Sequence, residues 1–231
     1  MTPTRARARL AAAACLAAVG LGGCITLLPK TPAAQLYRFG GDEASAPSAS
    51  PPSVQAGPRA GVLLDAATLP RAAGGDGLLT VTGDQAAYIA GARWITPAVL
   101  MFSEATQRVF DDRAVRTRLT ARGALGRVQA SLRLDVRDFQ VEYASPGSVP
   151  TVAVTLHARL SRPDGTALAE ADFAARRPAG EDRVSAIVAA YDAAVADVLA
   201  RTVAWTDANT PAFVDAPAVP APPPAASPRR G

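Results

Sequence analysis

His157 is the only histidine in this 231-residue chain, and any histidine-based acid–base chemistry would have to use it. A Ser-His-Asp arrangement has no second imidazole to recruit, and no Gly-x-Ser-x-Gly nucleophile elbow occurs in the sequence. His157 falls at the parity opposite Leu156 and Ala158 in an alternating run, a structural or solvent-facing position. Metal sites need several His, Cys or carboxylate ligands at defined spacing, and no such spacing appears. Asp111 and Asp112 are more simply a solvated helix end. Gly74-Gly75-Asp76-Gly77 lacks the lysine and the strand-to-helix context of a phosphate-cradling loop. These residues predict no catalysis, no metal and no cofactor. Arg93 and Trp94 remain, residue types enriched at interface hot spots. With Tyr88 they form a candidate partner interface. A second reading has Trp94 packed under the following helix and Arg93 ordering the loop before it.

The chain's two cysteines lie far from that segment, and their context is informative. Arg5, Arg7 and Arg9 precede an apolar run from Leu10 to Leu21, and then comes Gly22-Gly23-Cys24. A basic start, a run of this length and a small-residue end are the parts of a secretory signal. The run alone is too short to span a bilayer, which takes about 20 apolar residues. Leu21-Gly22-Gly23-Cys24 resembles the lipobox of bacterial lipoproteins. The resemblance implies cleavage after Gly23 and lipid attachment at Cys24. Ile25 stands where an Asp would commonly mark inner-membrane retention, so it further implies an anchor in the outer membrane with the domain facing the periplasm. Two other readings stand beside this one: an ordinary thiol after a signal peptide, and a single uncleaved helix from Leu10 to Leu28. Gly20, Gly22 and Gly23 weaken the helix.

With Cys15 in the signal and Cys24 at the cut, no disulfide or cysteine metal site is left in the mature domain. Of 24 Lys and Arg residues, three precede the apolar run, which leaves 21 against 20 Asp and Glu. A near-neutral domain offers no electrostatic footprint for nucleic acid.

The elements follow from periodicity. Residues 1–23 read as signal peptide and 24–35 as tether. Residues 36–206 read as one domain, with a Ser/Ala/Pro/Gly-rich flexible loop at 40–58, and residues 207–231 as a disordered Pro/Ala-rich tail. Strands are expected at Leu36–Phe39, Ala60–Leu64 and Leu78–Val81, the last two as a hairpin. Thr96 is expected to cap a helix that starts at Pro97 and runs to about Phe110. Its inward residues would be Leu100, Met101, Ala105 and Val109, with Phe102 a further candidate. A long strand covers 127–143. Val128, Ala130, Leu132, Leu134 and Val136 share one parity, whereas Phe139, Val141 and Tyr143 share the other. A β-bulge near Arg137-Asp138 would keep both sets inward. Val152 to Leu160 and Thr166 to Phe173 follow as strands joined by the turn Arg162-Pro163-Asp164-Gly165. A last helix spans Glu181 to Val203, with Glu181 and Asp182 in its first turn, and Trp205 closes it.

This order resembles the ABC-type transport auxiliary lipoprotein family, including the PqiC-like lipoproteins. The resemblance rests on Leu69-Pro70, Tyr88…Arg93-Trp94…Pro97, Leu134-Asp135-Val136…Phe139, and the closing helix Val184 to Trp205. It implies an α/β domain of α+β type, with a mainly antiparallel sheet and two principal helices packed on it. It also implies a non-catalytic auxiliary subunit for intermembrane transport of phospholipid or other hydrophobic molecules. The implied partners are an MCE-domain protein and ABC-transporter or membrane-embedded subunits, with a homo-oligomer by analogy. A lipoprotein adaptor that regulates cell-wall synthases is the alternative.

Overall fold

The computed structural model describes residues 33–40, 59–120 and 128–212. The expected signal peptide, most of the tether, the loop after Gly40 and the tail beyond Ala212 lie outside the described residues. Eight strands and two helices make up the described chain: β1 (Gln35–Tyr37), β2 (Ala60–Leu64), β3 (Gly77–Thr82), β4 (Gln85–Trp94), α1 (Ala98–Arg113), β5 (Thr117–Thr120), β6 (Val128–Tyr143), β7 (Thr151–Ser161), β8 (Ala167–Pro178) and α2 (Val184–Asn209).

All eight strands join one sheet, and β6 is its spine. One edge of β6 pairs with β7 along its length, and β7 in turn pairs with β8. The opposite edge is shared in succession by β2, an isolated bridge between Thr68 and Asp135, and β3. Amide hydrogen bonds from Asp65 to Leu132 O, Thr68 to Leu134 O and Val136 to Thr68 O carry the chain along that edge. The strand order is β1-β4-β3-β6-β2-β5.

The mainly antiparallel sheet expected from sequence is not what forms. Four of the seven strand pairings are parallel: β1 with β4, β2 with β5, β2 with β6, and β3 with β6. The expected hairpin between β2 and β3 does not form either, because both run in the same direction along β6. Apolar alternation reports which face of a strand is buried, but it carries no information on a neighbour's direction. The turns that do reverse the chain are Gly83-Asp84 between β3 and β4, the Ser145–Ser148 turn between β6 and β7, and Arg162–Gly165 between β7 and β8, where Gly165 has φ +87°.

The bulge expected in β6 is present. Val136 faces Leu156, but Asp138 faces Thr155, so one residue of β6 is extra between them. Ala130, Leu132, Leu134 and Val136 before it, and Phe139 and Val141 after it, are all buried. Helix α2 lies against β7 and β8 through Ile187, Tyr191, Val195, Val198 and Leu199. Both helices reach the same sheet face at Phe139, whose ring meets Phe102 of α1 at 6.4 Å and Tyr191 of α2 at 4.8 Å. Phe39 and Trp94 complete this aromatic cluster.

Both helix ends differ from expectation. Helix α1 begins at Ala98 without a side-chain cap from Thr96. Its first amides are taken by the glycine-rich loop instead, with Ala98 N–H donating to Gly75 O and Val99 N–H to Gly74 O. Leu100 faces solvent, while Thr106 and Phe110 are buried. Helix α2 begins at Val184, so Glu181 and Asp182 precede it, and it continues past Trp205 to Asn209. Thr202, Thr206 and Thr210 are buried there, and each donates its hydroxyl to the carbonyl four residues earlier.

One carboxylate fastens the end of α2 to the α1–β5 connection. Asp207 accepts the amides of Val115 (2.8 Å), Arg116 (3.3 Å) and Thr117 (2.9 Å), and the Thr117 hydroxyl at 2.6 Å. Asp207→Ala leaves all four donors without this acceptor and is expected to cost about 3 kcal/mol in urea unfolding. The hydroxyl of Tyr191, by contrast, is buried with no hydrogen-bond partner among the described residues, and burial raises its pKa well above the usual tyrosine value. Tyr191→Phe keeps the ring packing and removes that unsatisfied group. It is expected to leave the melting temperature unchanged or to raise stability by about 1 kcal/mol.

Candidate functional site

Tyr88, Arg93 and Trp94 all lie on β4, and the strand's geometry separates them. Gly77 of β3 faces Arg93, whereas Leu79 faces Tyr88, so β4 carries extra residues opposite Leu78. Gly91, at φ +69°, lies in this wide bulge. The bulged backbone of residues 89–92 forms one wall of an open depression of about 300 Å³. Arg71, Ala72, Gly75, Asp76, Gly77, Tyr88 and Arg93 form the rest of its lining.

Each lining group has a clear reason for its place. The Tyr88 ring lies over Gly77, where an added Cβ would come within 2.6 Å of Tyr88 Cδ1. Its hydroxyl donates to Ala72 O at 2.9 Å, while the side chain as a whole stays 56% exposed. One guanidinium nitrogen of Arg93 donates to both oxygens of Asp76, at 3.0 and 3.1 Å. That pair is more than half exposed and so contributes little to stability. Arg71, on the loop before β3, makes no ion pair among the described residues.

The structure thus brings Tyr88 and Arg93 together and takes Trp94 away from them. Trp94 is 2% exposed, with its ring edge-on to Phe39 at 5.0 Å and to Tyr191 at 5.2 Å. Of the three expected interface residues, Trp94 is a core residue, because strand parity turns it to the helix side as Arg93 turns outward. Sequence reasoning missed Arg71 and Asp76, and also the part the Gly74–Gly77 loop plays in walling the depression and capping α1. The glycine spacing was the available signal, since close backbone approach favours residues without a Cβ. Cys24 and Gly23 lie outside the described residues.

His157 sits on the sheet face away from the helices, in a cross-strand row between Asp135 of β6 and Asp172 of β8. Its Nδ1 lies 2.9 Å from Asp172 Oδ1, and its Nε2 3.7 Å from Glu170 Oε2. Arg133, Arg137 and Arg159 pair with Asp135, Asp172 and Glu170 respectively. Partial burial pulls the Asp135 carboxyl upward, but hydrogen bonds from Thr68 and Arg133 and the charges of Arg133 and His157 outweigh it and hold the group below its ordinary value. This is a ladder of opposite charges across three strands. Among the described residues, no three His, Cys, Asp or Glu side chains are placed to hold a metal ion.

One mixed sheet, with two helices on one face and a charged ladder on the other, defines an α+β domain that other solved proteins share. Protein XCC0632 from Xanthomonas campestris is similar, with a TM-score of 0.60 at 23% identity over 76% of this chain and 96% of its own. A second solved structure, of an uncharacterized protein, gives 0.55 at 15% identity over 76% of this chain and 97% of its own. At these identities the likeness concerns the fold alone. No curated protein matches the chain. Residues 43–204 match the family described as ABC-type transport auxiliary lipoprotein component, and the chain belongs to that family.

Two substitutions separate the surface from the core of β4. Trp94→Ala empties the centre of the aromatic cluster and is expected to cost about 3–5 kcal/mol in chemical unfolding. Arg93→Ala removes only an exposed ion pair and is expected to change stability by less than about 1 kcal/mol in the same assay.

Proposed function

We propose that this chain is a lipid-anchored, non-catalytic auxiliary subunit of an ABC/MCE-type system that moves phospholipid or other hydrophobic molecules between membranes. Cys24 carries the anchor, Gly23 is the last residue of the removed signal, and the domain faces the periplasm from the outer membrane. The observation that carries the reading is the family match over residues 43–204, which follows Leu21-Gly22-Gly23-Cys24 in the same chain. Ile25 after the cysteine supports the outer-membrane location. The partners are an MCE-domain protein and ABC-transporter or membrane-embedded subunits.

The test is affinity purification of the tagged full-length protein from detergent-solubilised membranes, with Cys24→Ala in parallel. MCE-domain and ABC components are expected with the wild-type chain, and are expected to be lost, or to move to the soluble fraction, with Cys24→Ala. Recovery of cell-wall synthases in their place, or of no partner, overturns the transport reading.

A further inference from the structure

In sequence, the described domain begins close to where the lipid is expected. Gln35, the first residue of β1, follows Cys24 by eleven residues, a reach of at most about 40 Å when fully extended. β1 is also the last strand at its end of the sheet order, and it pairs only with β4. The described domain therefore begins at the β1–β4 margin.

That margin has the composition of a surface that rests on lipid. Tyr37 and Trp94 are register partners and face the core, so Leu36 and its partner Arg93 face outward. Ile95 follows Trp94, and its amide donates to Tyr37 O, which holds it beside the same strand pair. Leu36 is 62% exposed and Ile95 58% exposed. Tyr88, Arg71 and Arg93 line the same depression, where Arg93 is paired with Asp76 and Arg71 has no ion pair among the described residues. Large exposed apolar side chains beside a tyrosine and arginines match the layered chemistry of a membrane interface. There aliphatic groups enter the acyl boundary, aromatic rings sit at headgroup depth, and guanidinium groups meet phosphate.

We propose that Leu36, Ile95 and Tyr88 contact the bilayer in which the chain is anchored, and that Arg71 and Arg93 take phospholipid headgroup phosphates at the depression between them. Tethering keeps the domain within reach of the surface, so individually weak contacts suffice to orient it. The occupant is the membrane, because the margin is both the part of the sheet nearest Cys24 in sequence and the place where exposed apolar and cationic groups meet. The inference rests on the lipid anchor at Cys24.

The test uses the full-length, natively lipidated protein reconstituted in phosphatidylethanolamine–phosphatidylglycerol vesicles that contain a spin-labelled phospholipid. An environment-sensitive fluorophore is attached through Ile95→Cys in one sample and Val115→Cys in another. Val115 is a fair control, since it is exposed and precedes β5, the opposite end of the sheet order. Quenching at position 95 is expected to exceed that at 115 by about fivefold, and to fall to the control level in the Arg71→Glu/Arg93→Glu background. Co-flotation of the protein with vesicles, with equal quenching at the two positions, overturns the proposed orientation while the anchor stands. Quenching at 95 that is unaffected by the charge reversals overturns the headgroup assignment. A chain that does not float with vesicles overturns the anchor, and this inference with it.

Discussion

Everything in this fold hangs on β6 serving two edges while keeping one face dry. Its sixteen residues are long enough that one edge can be matched in full by β7 as the other is matched piecewise by β2, Thr68 and β3. Its apolar residues change parity along that length, so one set would leave the core without a correction. The single extra residue between Val136 and Asp138 is that correction. It places Phe139 where the rings of α1 and α2 converge, so the aromatic cluster that joins sheet to helices depends on it. The polar side chains are placed by the same phase. Asp135 points outward into the ladder with His157 and Asp172 because Leu134 and Val136 point inward.

Much of this was legible in the sequence, for a physical reason. Alternation and helical periodicity are consequences of burial, so wherever a segment has one buried face the residues declare it. The two parities of β6 follow from that. The direction of strand pairing does not. β2 and β3 could have folded back on each other with the same alternation; their parallel pairings with β6, with the Thr68 bridge to Asp135 between them, show that they run on together. β4 was the element least visible as a strand. Gly91 and the bulge interrupt its alternation, and the segment looked distinctive without looking extended.

That interruption also explains why the candidate site was half legible. Tyr88, Arg93 and Trp94 stood out by residue type, which is blind to face. Parity alone moves Trp94 to the core and leaves Arg93 outside, and parity cannot be counted through a bulge that has not been recognised. The Gly74–Gly77 loop is visible in the sequence as a glycine cluster. Its two tasks were hidden because both use backbone atoms: carbonyls that receive the first amides of α1, and a bare Cα on which Tyr88 lies.

Gly40 marks where the first described segment ends. Its amide donates to Asp192 Oδ1 of α2 at 2.5 Å, and its carbonyl accepts from Arg108 of α1. At φ +68°, with an added Cβ only 2.8 Å from that of Ala105, the position admits no side chain. Just before it, Phe39 is sunk in the aromatic cluster. The three-residue β1 is therefore not the main fastening of the chain's entry into the domain. Any pull delivered along the segment before Gln35 would be borne first by three strand pairings, and then by a buried ring and a glycine pinned between both helices. Seen as a mechanical joint, the entry is a short slip followed by a lock, so tension could peel β1 from β4 and still leave the sheet and both helices closed.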